Sequence, residues 1–228
     1  ASAEESLAET ENSEATESHF GRFVLKSELG RGAFGTVFLA YDPTLDREGA
    51  LKLPRFDQQD RERIDRFLAE AQIAAQLQHP HIVAVWERGQ VGEQYYISAA
   101  YVQGETLKEY LDRTRPAIRQ AVTWIRDLAE ALAYAHEQNI IHRDMKPANV
   151  IINARQRPMI MDFGLAKRID QELDLTSDGL IMGTPAYMSP EQARGQTQEL
   201  GKQSDQYSLG GIFYELLTGK PRWSGKTH

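Results

Sequence analysis

The apolar positions divide the 228-residue chain into a part that is rich in predicted strands and a part that is rich in predicted helices. Short runs of β-branched and aromatic residues occur between 20 and 53 and again between 83 and 99, and turn residues separate them. The stretch 60–78 instead repeats apolar residues at helical spacing. We therefore predict five strands and one helix for this first part.

Helical patterns dominate the second part. Thr106 and Glu109 have the spacing of a capping box, which predicts the start of a short helix. A longer helix is predicted from Pro116 to Gln138, and a final one from Gln206 to Thr218, closed by Gly219. The face of the long helix that we expect to lie in the core comprises Ile118, Val122, Ile125, Leu128, Ala129, Leu132 and Ala135.

The beginning of the chain differs in composition from the rest. The segment from Ala1 to Ser18 is rich in Glu, Ser, Thr and Ala, and Leu7 is its only large apolar residue. Such a segment buries too little surface to offset the entropy that it would lose on ordering. We therefore predict a disordered acidic leader.

Net charge and cysteine content restrict the classes of function. A formal charge of −7 argues against a nucleic-acid-binding surface, which needs a basic field. The absence of cysteine excludes disulfides and thiolate metal sites and fits a cytoplasmic protein. We see no secretory signal and no apolar run approaching the roughly 20 residues of a membrane helix.

The segment from Ile141 to Val150 combines an acid, a base and an amide between the long helix and a short apolar strand. Pro147 prevents a helix from continuing, so we expect a loop that carries both Asp144 and Asn149. Their oxygens are proton acceptors or hard ligands, of the kind that Mg²⁺ binds together with phosphate oxygens. Lys146 adds a positive charge beside them.

Three glycines between two predicted strands form a second candidate site. Gly30, Gly32 and Gly35 are followed by a β-branched and aromatic run from Thr36 to Tyr41, which predicts a strand–loop–strand hairpin. A glycine-rich backbone can approach a polyphosphate and point N–H groups at it, but an ordinary hairpin turn has the same composition. A dinucleotide-binding fold would need a helix after the third glycine, which argues against an NAD enzyme.

Two charged residues lie at or beside apolar positions. Lys52 is flanked by apolar residues in a predicted strand, so it needs a partner or an open cleft unless it faces solvent. Glu70 lies at the edge of the apolar face of the predicted helix, one turn from Phe67 and from Ala74. We expect Glu70 to pair with Lys52, and a solvated helix acid is the alternative.

Taken together, these motifs resemble those of the protein kinases, and most of all the bacterial eukaryotic-type (Hanks-type) serine/threonine kinases. The resemblance covers about Phe20 to Pro221 and implies an α+β bilobal fold, with a small antiparallel β lobe that has one helix and a mainly helical large lobe. It places the leader at 1–18, the small lobe and hinge at 19–102 and the large lobe at 103–228. The motifs in chain order are Gly30–Val37, Lys52, Glu70, the H-R-D-x-x-x-x-N run at 142–149, Asp162-Phe163-Gly164, Ser189-Pro190-Glu191 and Asp205.

The resemblance implies that the small lobe and the hinge bind ATP. Lys52 holds the α- and β-phosphates in this family and pairs with Glu70, and both are expected to be catalytic residues. Ala99 takes the gatekeeper position at the rear of the adenine site, where so small a side chain should leave open space. The residues implied to bind ATP are Gly30, Arg31, Gly32, Gly35, Val37, Ala50, Lys52, Ala99, Ala100 and Val102.

The resemblance also implies the chemistry of protein phosphorylation. Asp144 would accept the proton of the substrate hydroxyl, and Lys146 would neutralise the γ-phosphate. Asn149 and Asp162 would bind Mg²⁺. Asp205 is either an acid at a helix N-terminus or a buried brace of the catalytic-loop backbone, and the two roles are compatible.

Regulation and substrate docking are implied for residues around and beyond the catalytic loop. Arg143 directly precedes the catalytic aspartate, an arrangement that implies pairing with a phosphate in the activation loop, the long polar segment from Leu165 to Met182. We expect autophosphorylation at Thr176 and Ser177, for which a homodimer would bring two copies together. Thr184 would dock the protein substrate and, together with Lys146, is typical of the serine/threonine class.

Further expectations concern the end of the chain and the alternatives to a kinase. Members of the family continue beyond the position that matches Pro221, so we expect an incomplete large lobe, and an anchor beyond it is compatible with the sequence. The last helix would then leave Tyr207, Ile212 and Leu216 uncovered, and Glu191 would lack its partner. The alternative functions are an inactive fragment or pseudokinase that binds nucleotide as a scaffold, and a small-molecule phosphotransferase.

Overall fold

The computed structural model describes residues 18–32, 35–55, 60–163 and 185–223. The predicted leader lies outside these ranges except for Ser18, which already belongs to the first strand. The predicted regulatory and docking residues Thr176, Ser177 and Thr184 also lie outside the described residues.

A six-stranded antiparallel sheet forms the first part of the molecule. Its strands are β1 (Ser18–Phe20), β2 (Phe23–Gly32), β3 (Gly35–Asp42), β4 (Arg47–Leu53), β5 (Val85–Val91) and β6 (Gln94–Ala100). They lie in the order β1-β2-β3-β4-β6-β5. A tight turn at Gly21, whose φ is 55°, divides the strand that we predicted over 20–29, so the sheet has one strand more than expected.

One helix, α1 (Arg61–Ala74), is inserted between β4 and β5 and packs against the sheet. Phe67 and Ala71 on its buried face contact Ile97 of β6. The helix ends four residues before the predicted end at 78. Its last turn tightens, because Leu77 N donates to the carbonyl oxygen three residues before it rather than four.

The second part consists of helices around a small sheet. Its elements are β7 (Gly104–Thr106), α2 (Leu107–Arg113), α3 (Ile118–Glu137), β8 (Val150–Asn153), β9 (Pro158–Ile160), α4 (Pro190–Ala193) and α5 (Lys202–Thr218). The helices α3 and α5 pack against each other, and their buried faces share one core with β8 and β9. The capping box predicted at the start of α2 is confirmed, because Thr106 N donates to Glu109 Oε2 at 2.8 Å and Glu109 N donates back to Thr106 Oγ1.

The connection from α1 to β5 holds the two parts together. Ile82 forms a parallel β-bridge with Ile160 of β9. Val83 N donates to the carbonyl oxygen of Ile160, and Ile160 N donates to that of His81, both at 2.8 Å. His81 Nδ1 lies 2.7 Å from the carbonyl oxygen of Pro158. The chain that leaves α1 is thus fixed to the strand that leads into the D-F-G motif.

The buried face of α3 differs from the predicted one. Ile118 is 72% exposed and Val122 is 50% exposed, and Ala129 is exposed as well. The helix begins two residues after Pro116, which lies ahead of its N-cap. The residues that α3 buries are Ala121, Trp124, Asp127, Leu128, Ala131, Leu132 and Ala135. The prediction was therefore correct for Leu128, Leu132 and Ala135, and Ile125 is half-buried against the same core.

The apolar face that we expected α5 to leave uncovered is instead buried. Ile212 is 0% exposed and Leu216 is 2% exposed, and both belong to the core that α3 also lines. Tyr207 is half-buried. The expectation was wrong because α3 packs along this face of α5. The large apolar residues that α5 exposes are Tyr214 and Leu217.

Glu191 has a partner, contrary to expectation. Ser204 Oγ donates to Glu191 Oε1 at 2.5 Å. Burial raises the pKa of Glu191, but the hydrogen bond from Ser204 and further hydrogen bonds outweigh burial, so that its pKa lies below the ordinary value of a glutamate. We had expected Glu191 to lack a cationic partner. The hydroxyl of Ser204, in the first turn of α5, instead supplies a hydrogen bond to its carboxylate.

Among the residues that the structure describes, no helix combines the length and the apolar character that crossing a membrane requires.

Candidate active site

A cavity of about 500 Å³ lies between the six-stranded sheet and the second part of the molecule. The strands β3 and β4 contribute to one side of it, and β8 and the residues before the D-F-G motif contribute to the other. Seven of the ten residues that we predicted to bind ATP line this cavity. They are Gly30, Val37, Ala50, Lys52, Ala99, Ala100 and Val102.

The other three predicted residues lie in the hairpin between β2 and β3. Gly32 pairs with Gly35 in the register of the two strands. Gly35 has a φ of 134°, and a Cβ at this position would lie 2.1 Å from the carbonyl oxygen of Leu53, so only glycine fits there. The guanidinium of Arg31 donates two hydrogen bonds to Glu28, at 3.0 and 2.6 Å, which holds this side chain on its own strand.

The lining of the cavity includes several small side chains. Besides Ala99, its lining includes Ala71 and Ala74 of α1, together with Phe163 of the D-F-G motif. The backbone of Ala99 pairs with Ala50 on one side and with the strand β5 on the other. The cavity therefore extends from the segment after β6 to the buried face of α1.

Several lining residues were missed by the sequence reasoning. Leu29 and Met161 directly precede the motifs at Gly30 and Asp162, and their position next to a motif was the only available signal. Ile151 lines the cavity from β8. Thr106 and Glu109 were recognised only as a capping box, although both also line the cavity. Nothing in a capping box indicates that it lies beside a ligand site.

The side chains of Asp144, Lys146 and Asn149 lie in contact with one another on the loop predicted for them. Lys146 Nζ lies 2.7 Å from Asp144 Oδ2. Asn149 Nδ2 donates to the backbone oxygen of Asp144 at 2.7 Å and to its Oδ2 at 3.0 Å. Pro147 to Asn149 form a single 3-10 turn, which brings the amide back over the carboxylate. The Asp144 carboxylate is therefore oriented by two neighbours on the same loop.

Asp205 holds the backbone of this loop through hydrogen bonds to its carboxylate. Its carboxylate, 1% exposed, accepts hydrogen bonds from His142 N at 2.8 Å and from Arg143 N at 2.7 Å. His136 Nε2 lies 2.7 Å from the same carboxylate. Asp205 also lies in the first turn of α5, so the structure contains both roles that the sequence left open.

His142 is buried and takes part in a packing contact rather than facing the cavity. Its ring meets Phe163 edge-on, with 4.8 Å between the ring centres. Its Nδ1 accepts a hydrogen bond from Asp144 N at 3.2 Å, and its Nε2 lies 3.0 Å from the carbonyl oxygen of Met161. With Nδ1 as the acceptor, Nε2 is the nitrogen that donates to the carbonyl oxygen of Met161.

Lys52 forms an ion pair with Asp162 across the cavity, at 3.0 Å. The sequence had not predicted this pair. Asp162 has a φ of 59°, a left-handed conformation that is unusual for a residue other than glycine and that often occurs at functional sites. The backbone of Glu70 belongs to α1, but its side chain lies outside the described residues, so the Lys52–Glu70 pair stays a prediction.

The two predicted magnesium ligands lie on adjacent segments. Met161 N donates to the backbone oxygen of Asn149 at 3.0 Å, which brings Asp162 next to the end of the 141–150 loop. Because Asn149 Nδ2 points at Asp144, its amide oxygen lies on the opposite side of the amide group. A carboxylate and an amide oxygen with room for phosphate oxygens are a donor set that Mg²⁺ accepts.

The segment after residue 184 is anchored to α5. The hydroxyl of Tyr187 donates to Glu215, and Ser208 Oγ donates to the carbonyl oxygen of Tyr187 at 2.8 Å. Burial raises the pKa of Tyr187, and its hydrogen bond to Glu215 raises it further, so the phenol stays protonated at physiological pH. Thr184 itself lies outside the described residues.

Comparison with known proteins gives a consistent result. The family model described as "Protein kinase domain" matches residues 23–228. Serine/threonine-protein kinase PrkC of Bacillus subtilis is 40% identical over 209 residues, which are 91% of this chain and 32% of that protein. Serine/threonine-protein kinase PknB of Mycobacterium tuberculosis is 42% identical over 218 residues, 92% of this chain and 34% of the relative. The chain thus spans about a third of the length of these curated relatives.

A solved structure shows the same architecture. The crystal structure of the Mycobacterium tuberculosis PknI kinase domain aligns with a TM-score of 0.72 at 29% sequence identity. The alignment covers 92% of this chain and 79% of that one. The predicted fold class is therefore confirmed, with an antiparallel sheet in the small lobe and a mainly helical large lobe.

Proposed function

Because the chain belongs to the protein kinase domain family, we propose that it transfers the γ-phosphate of ATP to serine and threonine hydroxyls of proteins. The observation that carries this proposal is the cluster of Asp144, Lys146 and Asn149 on one loop, beside the Lys52–Asp162 pair. These groups are a base and cations for the reacting phosphate, together with oxygen ligands for a metal ion. The names of the relatives support the serine/threonine class.

In the proposed reaction the substrate hydroxyl oxygen attacks the γ-phosphorus while the bond to the β–γ bridging oxygen breaks. The carboxylate of Asp144 accepts the hydroxyl proton, and ADP leaves. Lys146, 2.7 Å from that carboxylate, is placed to stabilise negative charge on the transferred phosphoryl group. A positioned base of this kind contributes roughly 10²- to 10⁴-fold to the rate.

Asn149 and Asp162 are the proposed ligands of Mg²⁺. When bound, the ion neutralises charge on the β- and γ-phosphates and fixes their geometry. Lys52, which contacts Asp162 at 3.0 Å, reaches the same region of the cavity. We assign to Lys52 the α- and β-phosphates, and to Glu70 the orientation of Lys52.

The adenine is proposed to lie between the two parts of the molecule. Val37 and Ala50 line the cavity from the sheet side, and Met161 lines it from the opposite side. The backbone of Ala100 and Val102, in the segment that links the two parts, supplies hydrogen-bonding groups to the adenine edge. This assignment needs no particular side chain at either linking position.

Regulation is proposed to act through the segment between the D-F-G motif and Tyr187. Phosphorylation of Thr176 or Ser177 by a second copy of the chain would provide a phosphate to pair with Arg143. Arg143 lies directly before the proposed base, so such a pair would act close to the reacting groups. Thr184 is the proposed contact to the protein substrate.

The proposal is tested by identifying the acceptor of the phosphate. The chain is incubated with Mg²⁺, γ-labelled ATP and a generic basic protein, and the labelled products are hydrolysed in acid. We expect phosphoserine and phosphothreonine. Label on a small molecule would indicate a phosphotransferase of another class, and tight ATP binding without transfer would indicate a nucleotide-binding scaffold.

A further inference from the structure

Gln192 is a buried polar side chain in the first turn of α4, and it uses both ends of its amide. It is 7% exposed. Its Oε1 accepts a hydrogen bond from Ser189 N at 2.9 Å, as in a capping box. Its Nε2 donates to the backbone oxygen of Arg143 at 2.5 Å. The second bond leaves the helix cap and reaches the catalytic loop.

The oxygen that Gln192 contacts belongs to the peptide group that joins Arg143 to Asp144. The N–H of this same peptide group donates to His142 Nδ1 at 3.2 Å. A peptide group is planar, so a bond to its oxygen and a bond from its nitrogen together fix the orientation of the plane. The plane in turn fixes the Cα of Asp144, from which the carboxylate extends.

This peptide plane also follows an unusual backbone conformation. Arg143 has a φ of 66°, in the left-handed region. Such a conformation costs energy in a residue with a side chain and persists only where the surroundings determine it. Asp205 holds the N–H of Arg143, and Gln192 holds its carbonyl oxygen. Without Gln192, the carbonyl oxygen of Arg143 loses this hydrogen bond.

We propose that Gln192 is a positioning residue for the proposed base, fixing the Arg143–Asp144 peptide plane and thereby coupling the 185–191 segment to the reacting groups. This inference rests on the proposed function and extends it to a residue that the sequence motifs do not include. It differs from a purely structural role of Gln192 as a helix cap, which would require only its bond to Ser189.

Two substitutions separate the cap from the coupling. Gln192→Glu keeps an oxygen for the bond from Ser189 N, but an ionised carboxylate cannot donate to the carbonyl oxygen of Arg143 and repels it. Ser189→Ala is the matched control, because it removes the reciprocal bond from Gln192 N to Ser189 Oγ, at 3.4 Å, and the hydrogen bond between the Ser189 hydroxyl and Glu191, but leaves both ends of the Gln192 side-chain amide in place. Gln192→Met, of similar length and without polar atoms, shows whether loss of the donor alone has the same effect as repulsion.

The kinetic readout is the separation of kcat from KM. For Gln192→Glu we expect kcat for protein phosphorylation to fall about tenfold or more, with KM for ATP unchanged. Gln192→Met should show a smaller fall in the same direction, and Ser189→Ala should keep nearly the kcat of the unmodified chain. Equal losses in Gln192→Glu and Ser189→Ala would assign Gln192 to the helix cap alone and overturn the proposal.

Hydrogen–deuterium exchange of the amides of 142–146 tests the coupling without any need for activity. We expect faster exchange there in Gln192→Glu and Gln192→Met but not in Ser189→Ala, at equal melting temperature. Unchanged exchange in both Gln192 variants would refute the positioning role even if the chain is an active kinase. Absence of phosphate transfer by the unmodified chain would instead refute the proposed function and leave the exchange result to decide on the coupling.

Discussion

At the level of single residues, Asp205 sets the shape of the 141–150 loop, although it does not line the cavity. Its buried carboxylate receives the backbone N–H groups of His142 and Arg143 together with the ring of His136. A carboxylate in the core is costly unless donors of this kind surround it. The loop and its brace therefore depend on each other, because each supplies the hydrogen bonds that the other needs.

A glycine is needed at position 49 because a side chain from another strand packs against it. A Cβ at this position would lie 2.7 Å from Trp86 Cζ3 and 3.0 Å from the carbonyl oxygen of Ala99. The indole of Trp86 therefore packs directly on the backbone of β4, and the guanidinium of Arg47 stacks on this indole at 3.4 Å from the ring centre. The sequence shows a glycine within the predicted strand but not the cause of it, because Trp86 belongs to another strand.

The small side chain of Ala99 should determine which ligands fit the cavity. Replacing Ala99 by Met should fill the rear of the cavity, where Ala71 and Ala74 also leave space. Binding of an adenine analogue with a bulky apolar substituent directed there should weaken by about tenfold or more, because an overfilled site must displace its neighbours. The dissociation constant of ATP should stay nearly the same. Calorimetric titration of the two ligands against both proteins measures the difference.

Other binding results would contradict the position assigned to Ala99. If Ala99→Met binds the bulky analogue as well as the unmodified chain does, Ala99 does not border the rear space. If ATP binding is lost as well, the methionine blocks the adenine itself. Ala100→Met, in the linking segment, is the matched control for a larger side chain elsewhere along the lining.

At the scale of elements, capping residues mark where the helices of the second part begin. Thr106 at the start of α2 and Ser189 at the start of α4 both form complete capping boxes. In each, a side-chain oxygen accepts an N–H of the first turn that would otherwise lack a partner. Caps of this kind are predictable from spacing alone, since a capping box needs only residues that are close in sequence.

Thr106→Ala should lower the free energy of unfolding by about 1 kcal/mol, because the first turn of α2 loses its cap. Chemical denaturation of both proteins measures the difference. Thr123→Ala is the matched control, because the hydroxyl of Thr123 only bonds back to the carbonyl oxygen of Arg119 within α3, and its loss should change stability by less than about 0.5 kcal/mol. Equal effects of the two substitutions would show that the cap contributes nothing specific.

The orientation of α3 could not be derived from its apolar residues. Its buried stripe contains small alanines and the polar Asp127, while Ile118 and Val122 face outward. Asp127 is acceptable there because Arg126 and His81 lie beside it, and His81 comes from a distant part of the sequence. The pattern of apolar residues shows how hydrophobic each face of a helix is. Which face is buried depends on the elements that pack against the helix.

At the scale of the whole molecule, the candidate site depends on contact between the two parts. Lys52 comes from the sheet, Asp162 follows β9, and the loop of Asp144 follows α3. The bridge between Ile82 and Ile160 fixes the strand that carries the D-F-G motif relative to the sheet side.

The motif residues were predictable from the sequence because their order and spacing are specific, whereas the bonds between distant segments were not. The pair of Lys52 with Asp162 and the bond from Gln192 to Arg143 each join residues far apart in the chain. Their formation depends on how the loops pack, which no local pattern encodes. The burial of Ile212 was mispredicted for the same reason, because its covering helix α3 lies far away in sequence.

Phosphate transfer by the unmodified chain and by Asp144→Asn, measured with γ-labelled ATP, Mg²⁺ and a protein acceptor, shows whether Asp144 acts as the base. We predict that transfer by the variant falls by roughly 10²- to 10⁴-fold, because the amide cannot accept the hydroxyl proton, while ATP binding is retained. Transfer by Asp144→Asn at the rate of the unmodified chain would contradict the assignment of Asp144 as the base and the site built around it.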